Sequence, residues 1–202
     1  MTVVYLATIS FLAFFSIDLD EARTDVFLIN ESVNLCKGLK HSSAEKKKKA
    51  RAVAFVLNEV EKQMGVPDQM RGMTLSAACS ESAFNPTARG DLRLRKKRNV
   101  HMAIGVLQLW PFYEKAYGTD RSDPKSSAIG WLTHIKRMVP KVRKQCKYRA
   151  IKKVWVAAWV TGIRYKKKGG RCKEKPLHLK HFLKLRKSYE THVKKSTTQI
   201  GR

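Results

Sequence analysis

Acidic residues are scarce in this chain. Its 202 residues hold 16 Asp+Glu against 42 Lys+Arg, a formal charge of +26. A protein so charged repels cationic partners and seeks polyanions: nucleic acid, an anionic membrane face or an acidic wall polymer. Cysteine is sparse too. There are four, with no C-x-x-C, which argues against a zinc ribbon or a thioredoxin-type centre. None of the six histidines falls in an H-E-x-x-H pattern, so they read as surface or core residues and no metal or cofactor is implied. The apolar run Val3–Ile17 falls short of the ~20 residues that a membrane span needs. There is no internal repeat. What is present is enough apolar residue, 43%, to exclude disorder as a description of the whole chain and to build one ordinary core.

Val3–Ile17 has the length of a signal-peptide core, which points to export, to the periplasm or outside the cell, with association to the envelope. Its flanks depart from the signal pattern: no Lys or Arg precedes it, and "DLDEA" follows in place of an A-x-A site. An uncleaved anchor, a buried helix and a misplaced start codon are the alternatives. The expected division is a leader or anchor over 1–22, one domain over 30–195 and a polar tail over 196–202. In an exported protein an even cysteine count predicts disulfides. Three pairings are possible. Cys36–Cys79 with Cys146–Cys172 is preferred, because each pair then lies towards one end of the chain.

The periodicity predicts a mainly α domain of five to seven helices with a small hairpin or irregular region. Residues 23–41 show no regular pattern. Ser42 and Glu45 fit a capping box for a helix carrying Ala50, Val53, Ala54, Leu57, Val60 and Met64 on one face. Gly65 and Pro67 end it, and a second helix is expected from about Asp68 to Ser82. In the basic stretch 87–103, "LRLR" alternates as a short hairpin does. Asp123-Pro124 reads as an N-cap and first residue of a helix that stops before Pro140. Further helices carry Ile151–Gly162 and His178–Val193, and the tail after Lys195 is expected to fray.

The stretch "LSAACSESAFNP" poses the functional question. On the expected helix, Met70, Met73, Ala77 and Glu81 share one face. Glu81 then sits in the last turn, in line with a buried stripe. Partial burial and the negative end of the helix dipole would both favour the protonated acid, which is what a general acid needs. The competing description is a Glu that points into solvent.

Three segments in order, "ACSESAFNPTARGD", "AIGVLQLWP" and "VAAWVTGIRY", resemble the soluble lytic transglycosylase domain of the lysozyme-like superfamily. That family has a helix ending in Glu-Ser, an Asn-Pro turn, a Gly-x-x-Gln block and a later Ala-Tyr-Asn segment. The resemblance covers roughly residues 45–170. It implies a lysozyme-like fold and cleavage of the bond between N-acetylmuramic acid and N-acetylglucosamine, with a 1,6-anhydro product. Glu81 would be the catalytic acid and base. Ser82 would orient the acid or touch substrate, and Gln108 would bind an acetamido sugar. Where the family has Tyr-Asn this chain has Trp159-Val160, and Trp159 is carried as a substrate-binding candidate. Trp110, Phe112, Tyr113 and Trp159 offer rings for sugar faces, with core packing as the competing role.

A lysozyme-type hydrolase needs a second carboxylate to handle water, and Asp91 is the candidate. The expected partners are peptidoglycan glycan strands and anionic envelope polymers. A nucleic-acid binder would need aromatic rings interleaved with the charges, and they are not. A non-catalytic cationic wall-binding protein is the remaining alternative.

Overall fold

Two uncharged stretches organise the molecule. Met73–Cys79 and Val154–Trp159 are buried on every side, as a helix without a polar face must be. In the computed structural model, residues 22–91, 102–161 and 179–200 are described. Seven α-helices run through them: α1 (22–34), α2 (Ala44–Gln63), α3 (Met73–Ser82), α4 (Phe112–Tyr117), α5 (Pro124–Cys146), α6 (Ile151–Thr161) and α7 (Leu179–Ile200). The single sheet among these residues is a short antiparallel pair, β1 (Arg89–Gly90) against β2 (Ala103–Ile104), in the register Arg89 to Ile104 and Gly90 to Ala103. The protein is therefore mainly α with one small two-stranded element. α2 packs on α3 and α5, α5 also on α4 and α6, and α7 covers α3.

Several elements differ from the sequence expectation. The stretch 23–41 contains α1 and a 3-10 turn, Lys37–Leu39. Its buried stripe is Asp25, Leu28, Ile29, Ser32, Val33 and Cys36. The spacing is helical, but Asp25 and Ser32 hide it because they are polar. The N-cap of α2 is Ser43, whose hydroxyl accepts from the Lys46 N–H at 3.3 Å, not Ser42. The expected Asp68–Ser82 helix is broken. Asp68–Met70 form a 3-10 turn, and Gly72 at φ +86° sits immediately before α3. α5 passes through Pro140 and ends at Cys146. Pro140 is exposed, so the carbonyl it deprives of a partner faces water, while Val142 is buried and holds the extension down. α7 continues through Ile200 where fraying was expected after Lys195. The apolar run Val3–Ile17, the "LRLR" segment, His178 and Cys172 lie outside the described residues.

The Cys36–Cys79 disulfide is formed, with Cα atoms 5.6 Å apart. It ties the 3-10 turn after α1 to the last turn of α3. Cys146 is also disulfide-bonded. Among the described residues no helix is long and apolar enough to cross a membrane.

A buried polar network anchors the start of α3. Glu61, on α2, is fully buried. Its two carboxylate oxygens accept from the Gly72 N–H at 2.6 Å and the Thr74 N–H at 2.5 Å. Two of the orphan donors at the start of α3 are thus satisfied by another helix. Arg71 pairs with Asp25, which also takes Lys62 at 2.8 Å, and Arg71 donates to Asn58 at 3.2 Å. Burial pushes the Glu61 carboxyl up, against the opposing pull of the two N–H groups and Arg71. Burial acts the same way on Asp25, but Lys62 and Arg71 outweigh it and hold that carboxyl below the ordinary range.

Candidate active site

α3 is buried until its last turn and then emerges. Ser80 and Glu81 are exposed. The expected partial burial of Glu81 is therefore corrected. Met73, Ala77 and Glu81 do share one face of a continuous helix, but neighbours cover α3 only as far as Cys79, and its last turn protrudes from the core. Glu81 stands at the surface on a rigid, deeply rooted helix.

The residues after Glu81 form a tight stop. Ala83 (φ +52°) and Phe84 (φ +62°) are both left-handed. The Ala83 N–H donates to Cys79 O at 3.1 Å and the Phe84 N–H to Ala78 O at 3.2 Å, a Schellman-type closure without glycine. Phe84 is buried and offsets part of the conformational cost. Asn85 Oδ1 accepts from the Thr87 N–H at 3.0 Å, closing an Asx turn around Pro86. Gly38 fits against this stop; a Cβ there would lie 2.8 Å from the Ala83 Cβ.

Ser82 fastens the helix end to the second block. Its hydroxyl donates to Val106 O at 2.8 Å and accepts from the Asn85 N–H at 3.1 Å. Its observed contacts make it a positioning residue. In the second block the Gly105 N–H donates to Ala88 O at 2.9 Å. Gln108, at φ +49°, donates through Nε2 to Ala88 O at 3.1 Å and Gly105 O at 2.9 Å. Its oxygen lies over the Gly90 Cα, where a Cβ would come within 2.2 Å. One amide hydrogen thus ties the turn to Ala88 just before β1, the other closes the turn on Gly105, and the oxygen is left to accept.

The turn is held from below by Arg121, a residue the sequence reading passed over. Arg121 is buried. It donates to Met102 O and Leu109 O, each at 3.0 Å, and pairs with Glu114 at 2.7 Å. An Arg followed by the Asp123-Pro124 cap signals nothing by spacing; its role depends on carbonyls distant in sequence.

The aromatic candidates separate. Trp159 is buried, with its ring edge-on to Trp131 and Phe182, both 5.8 Å away. It is a core residue, which corrects its place as a substrate contact: no ring face is presented for a sugar. Tyr113 is buried as well, and burial, then Tyr117, pushes its phenol far up. Tyr117 meets His134 Nδ1 at 2.9 Å. Phe112, 45% exposed, and the half-buried Trp110 flank the Gln108 turn and are the rings a sugar can reach.

Asp91 is exposed and left-handed at φ +56°, directly after β1. Asp tolerates that conformation better than most residues. Among the described residues no cluster of His, Cys, Asp or Glu could hold a metal.

No family model, curated protein or solved structure matches the chain.

The site therefore rests on its own geometry. An exposed carboxylate on a buried helix adjoins a turn that carries an amide and two accessible rings. The arrangement places one exposed carboxylate, one side-chain amide and two ring faces on neighbouring elements at the surface.

Proposed function

We propose that the protein is an exported lytic transglycosylase acting on peptidoglycan, with Glu81 as its single catalytic acid and base. One observation carries the reading: the Glu-Ser helix end and the Gly-x-x-Gln block, distant in sequence, adjoin through the Ser82–Val106 bond of 2.8 Å. A second feature supports it. Ala83, Phe84, Asp91 and Gln108, all near this junction, account for four of the five positive-φ non-glycine residues among those described. Backbone strain gathers where a site has to be held in shape.

In the proposed reaction Glu81 protonates the glycosidic oxygen. The C6 hydroxyl oxygen of the muramic acid attacks its own anomeric carbon as the bond to the leaving sugar breaks. The Glu81 carboxylate takes the hydroxyl proton, and the product carries a 1,6-anhydro ring. Atoms balance without water. Because Glu81 is exposed in the free protein, the apolar face of the bound sugar would have to supply the desolvation.

The test is muropeptide release from purified peptidoglycan by wild type, Glu81→Gln and Asp91→Asn, with circular dichroism to verify folding. Glu81→Gln is expected to lose ~10²–10⁴ in rate. Asp91→Asn is expected to match wild type, and the ends released to be anhydro sugars. Reducing ends, with both variants inactive, would place the protein with the lysozyme-type hydrolases. A folded Glu81→Gln protein cutting at the wild-type rate would end the Glu81 mechanism, and absence of cleavage by the wild type would leave the non-catalytic wall-binding reading.

A further inference from the structure

Away from Glu81, α1 and α7 enclose an open groove of about 470 Å³ with no wall from α3 or the β1–β2 pair. The two helices run antiparallel. Phe27 stacks on His192 with centroids 4.0 Å apart and planes 1° from parallel, and Glu31, one turn along α1, accepts from Ser188, one turn back along α7, at 2.8 Å. The opposite rim is basic. Lys184, Lys187 and Lys195 fall at i, i+3 and i+11, on one face of α7. All three are exposed, and among the described residues none makes an ion pair. Along the helix they span about 16 Å.

We propose that this groove is a second, non-catalytic site that binds a linear phosphodiester-linked polyol chain. The occupant follows from the arrangement. Three unpaired ammonium groups attract an anion, and strung along a helix they suit a chain of charges rather than one compact ion. The groove opens to solvent and its lining runs along both helices, as an extended ligand requires. Its two rings stack face to face on each other, so they do not form the platform of separate rings on which successive bases of a nucleic acid would lie. The choice of a wall-type phosphodiester rests on the peptidoglycan reading above. The consequence is a division of labour: α7 holds the protein on an anionic polymer while the end of α3 acts on the glycan beside it.

The experiment measures binding of the full chain to fluorescent poly(glycerol phosphate) and to a single-stranded oligonucleotide of equal charge, over a range of salt. The variants are Lys184→Gln/Lys187→Gln/Lys195→Gln, the single Lys187→Gln, and, as a control for diffuse charge, Lys46→Gln/Lys47→Gln/Lys48→Gln on α2. The α7 triple variant is expected to bind the polyol phosphate about tenfold more weakly or worse and to show a flatter salt dependence. The single variant falls between it and wild type, and the α2 variant changes less than about threefold. Equal losses in both triple variants, or tighter binding to the oligonucleotide, would overturn the proposal. Binding by Glu81→Gln is expected to equal wild type. The two readings thus fail separately: loss of the transglycosylase reading appears in the cleavage products, and loss of this one in the α7 variants.

Discussion

Glu61 and Asp25 are both buried carboxylates, yet they respond to pH in opposite senses. Glu61 is shifted up from an ordinary 4.5, so the folded state holds its proton more tightly than the unfolded state. Its contribution is fully present below 4.5 and declines as pH rises through the folded value. Asp25 is shifted down from 3.8, so its contribution is full above 3.8 and is lost as pH falls through the lower folded value. The penalty of Glu61→Gln in urea unfolding is therefore expected to shrink as pH is raised from 4.5. That of Asp25→Asn is expected to shrink as pH is lowered from 3.8, and to reach ~3–5 kcal/mol near neutrality, because Arg71 is left buried beside a neutral group. Parallel pH profiles for the two variants would contradict this account. At this scale the sequence was legible where chemistry is local. "SES" followed by "FNP" marked a helix stop, where Ser82 and Asn85 make the backbone contacts their types suggest, while the left-handed Ala83 and Phe84 stand where glycine would be expected. Glu61, Arg71 and Arg121 were not legible, since their partners are backbone and side-chain groups of other elements and leave no spacing to find. The burial inferred for Glu81 went astray because a stripe gives the face of a helix and not how far along its length neighbours cover it.

At the scale of elements, the short pieces around the site depend on two constraints. The first is Gly105. It sits at φ +80°, and a Cβ there would lie 1.8 Å from the Arg121 carbonyl oxygen, a backbone atom with nowhere to go. Gly105→Ala is expected to destabilise the protein and to disorder the Gln108 turn, visible as faster amide exchange at Gly105 and Gln108 while α2 and α5 stay protected. The second is the Cys36–Cys79 disulfide, which closes a loop across 43 positions. By chain entropy it contributes about 4 kcal/mol. The Cys36→Ser/Cys79→Ser protein should lose roughly that much in denaturant unfolding, and an unchanged midpoint would show the bond to be dispensable. The long helices were legible because their apolar stripes are regular, as in α2 and α5. α1 was not, because its stripe carries Asp25 and Ser32, whose side-chain partners are Lys62 on α2, Arg71 in the turn before α3 and Ile29 O within α1 itself. Pro140 illustrates the reverse: a strong local stop signal yields when its face is solvated and the next turn has a core residue to bury.

At the scale of the whole molecule, α7 closes the fold. His181 Nε2 donates to Ser32 O at 3.2 Å, and its Nδ1 lies 3.0 Å from Ser76 Oγ. Leu185 lies over Gly72, and Arg186 donates to Asp68 O at 2.8 Å. A chain ending at residue 178 would leave the apolar wall of α3 open. It is expected to lose near-ultraviolet circular dichroism and cooperative unfolding; a sharp transition in that truncation would show that α7 is peripheral. The mainly α class was legible from periodicity alone. This long-range closure was not, since nothing in a helix's own pattern names the helix it covers. The closure also has a meaning in time. The contacts of His181 reach back 105 and 149 positions. While the chain is being synthesised, the helix that bears Glu81 cannot be covered by α7 until the segment around His181–Arg186 has left the ribosome. Contacts of such sequence separation form late and slowly. The wall of α3 beneath Glu81 therefore stays open to other partners until α7 docks, and the buried side of the site is completed from a segment far along the chain.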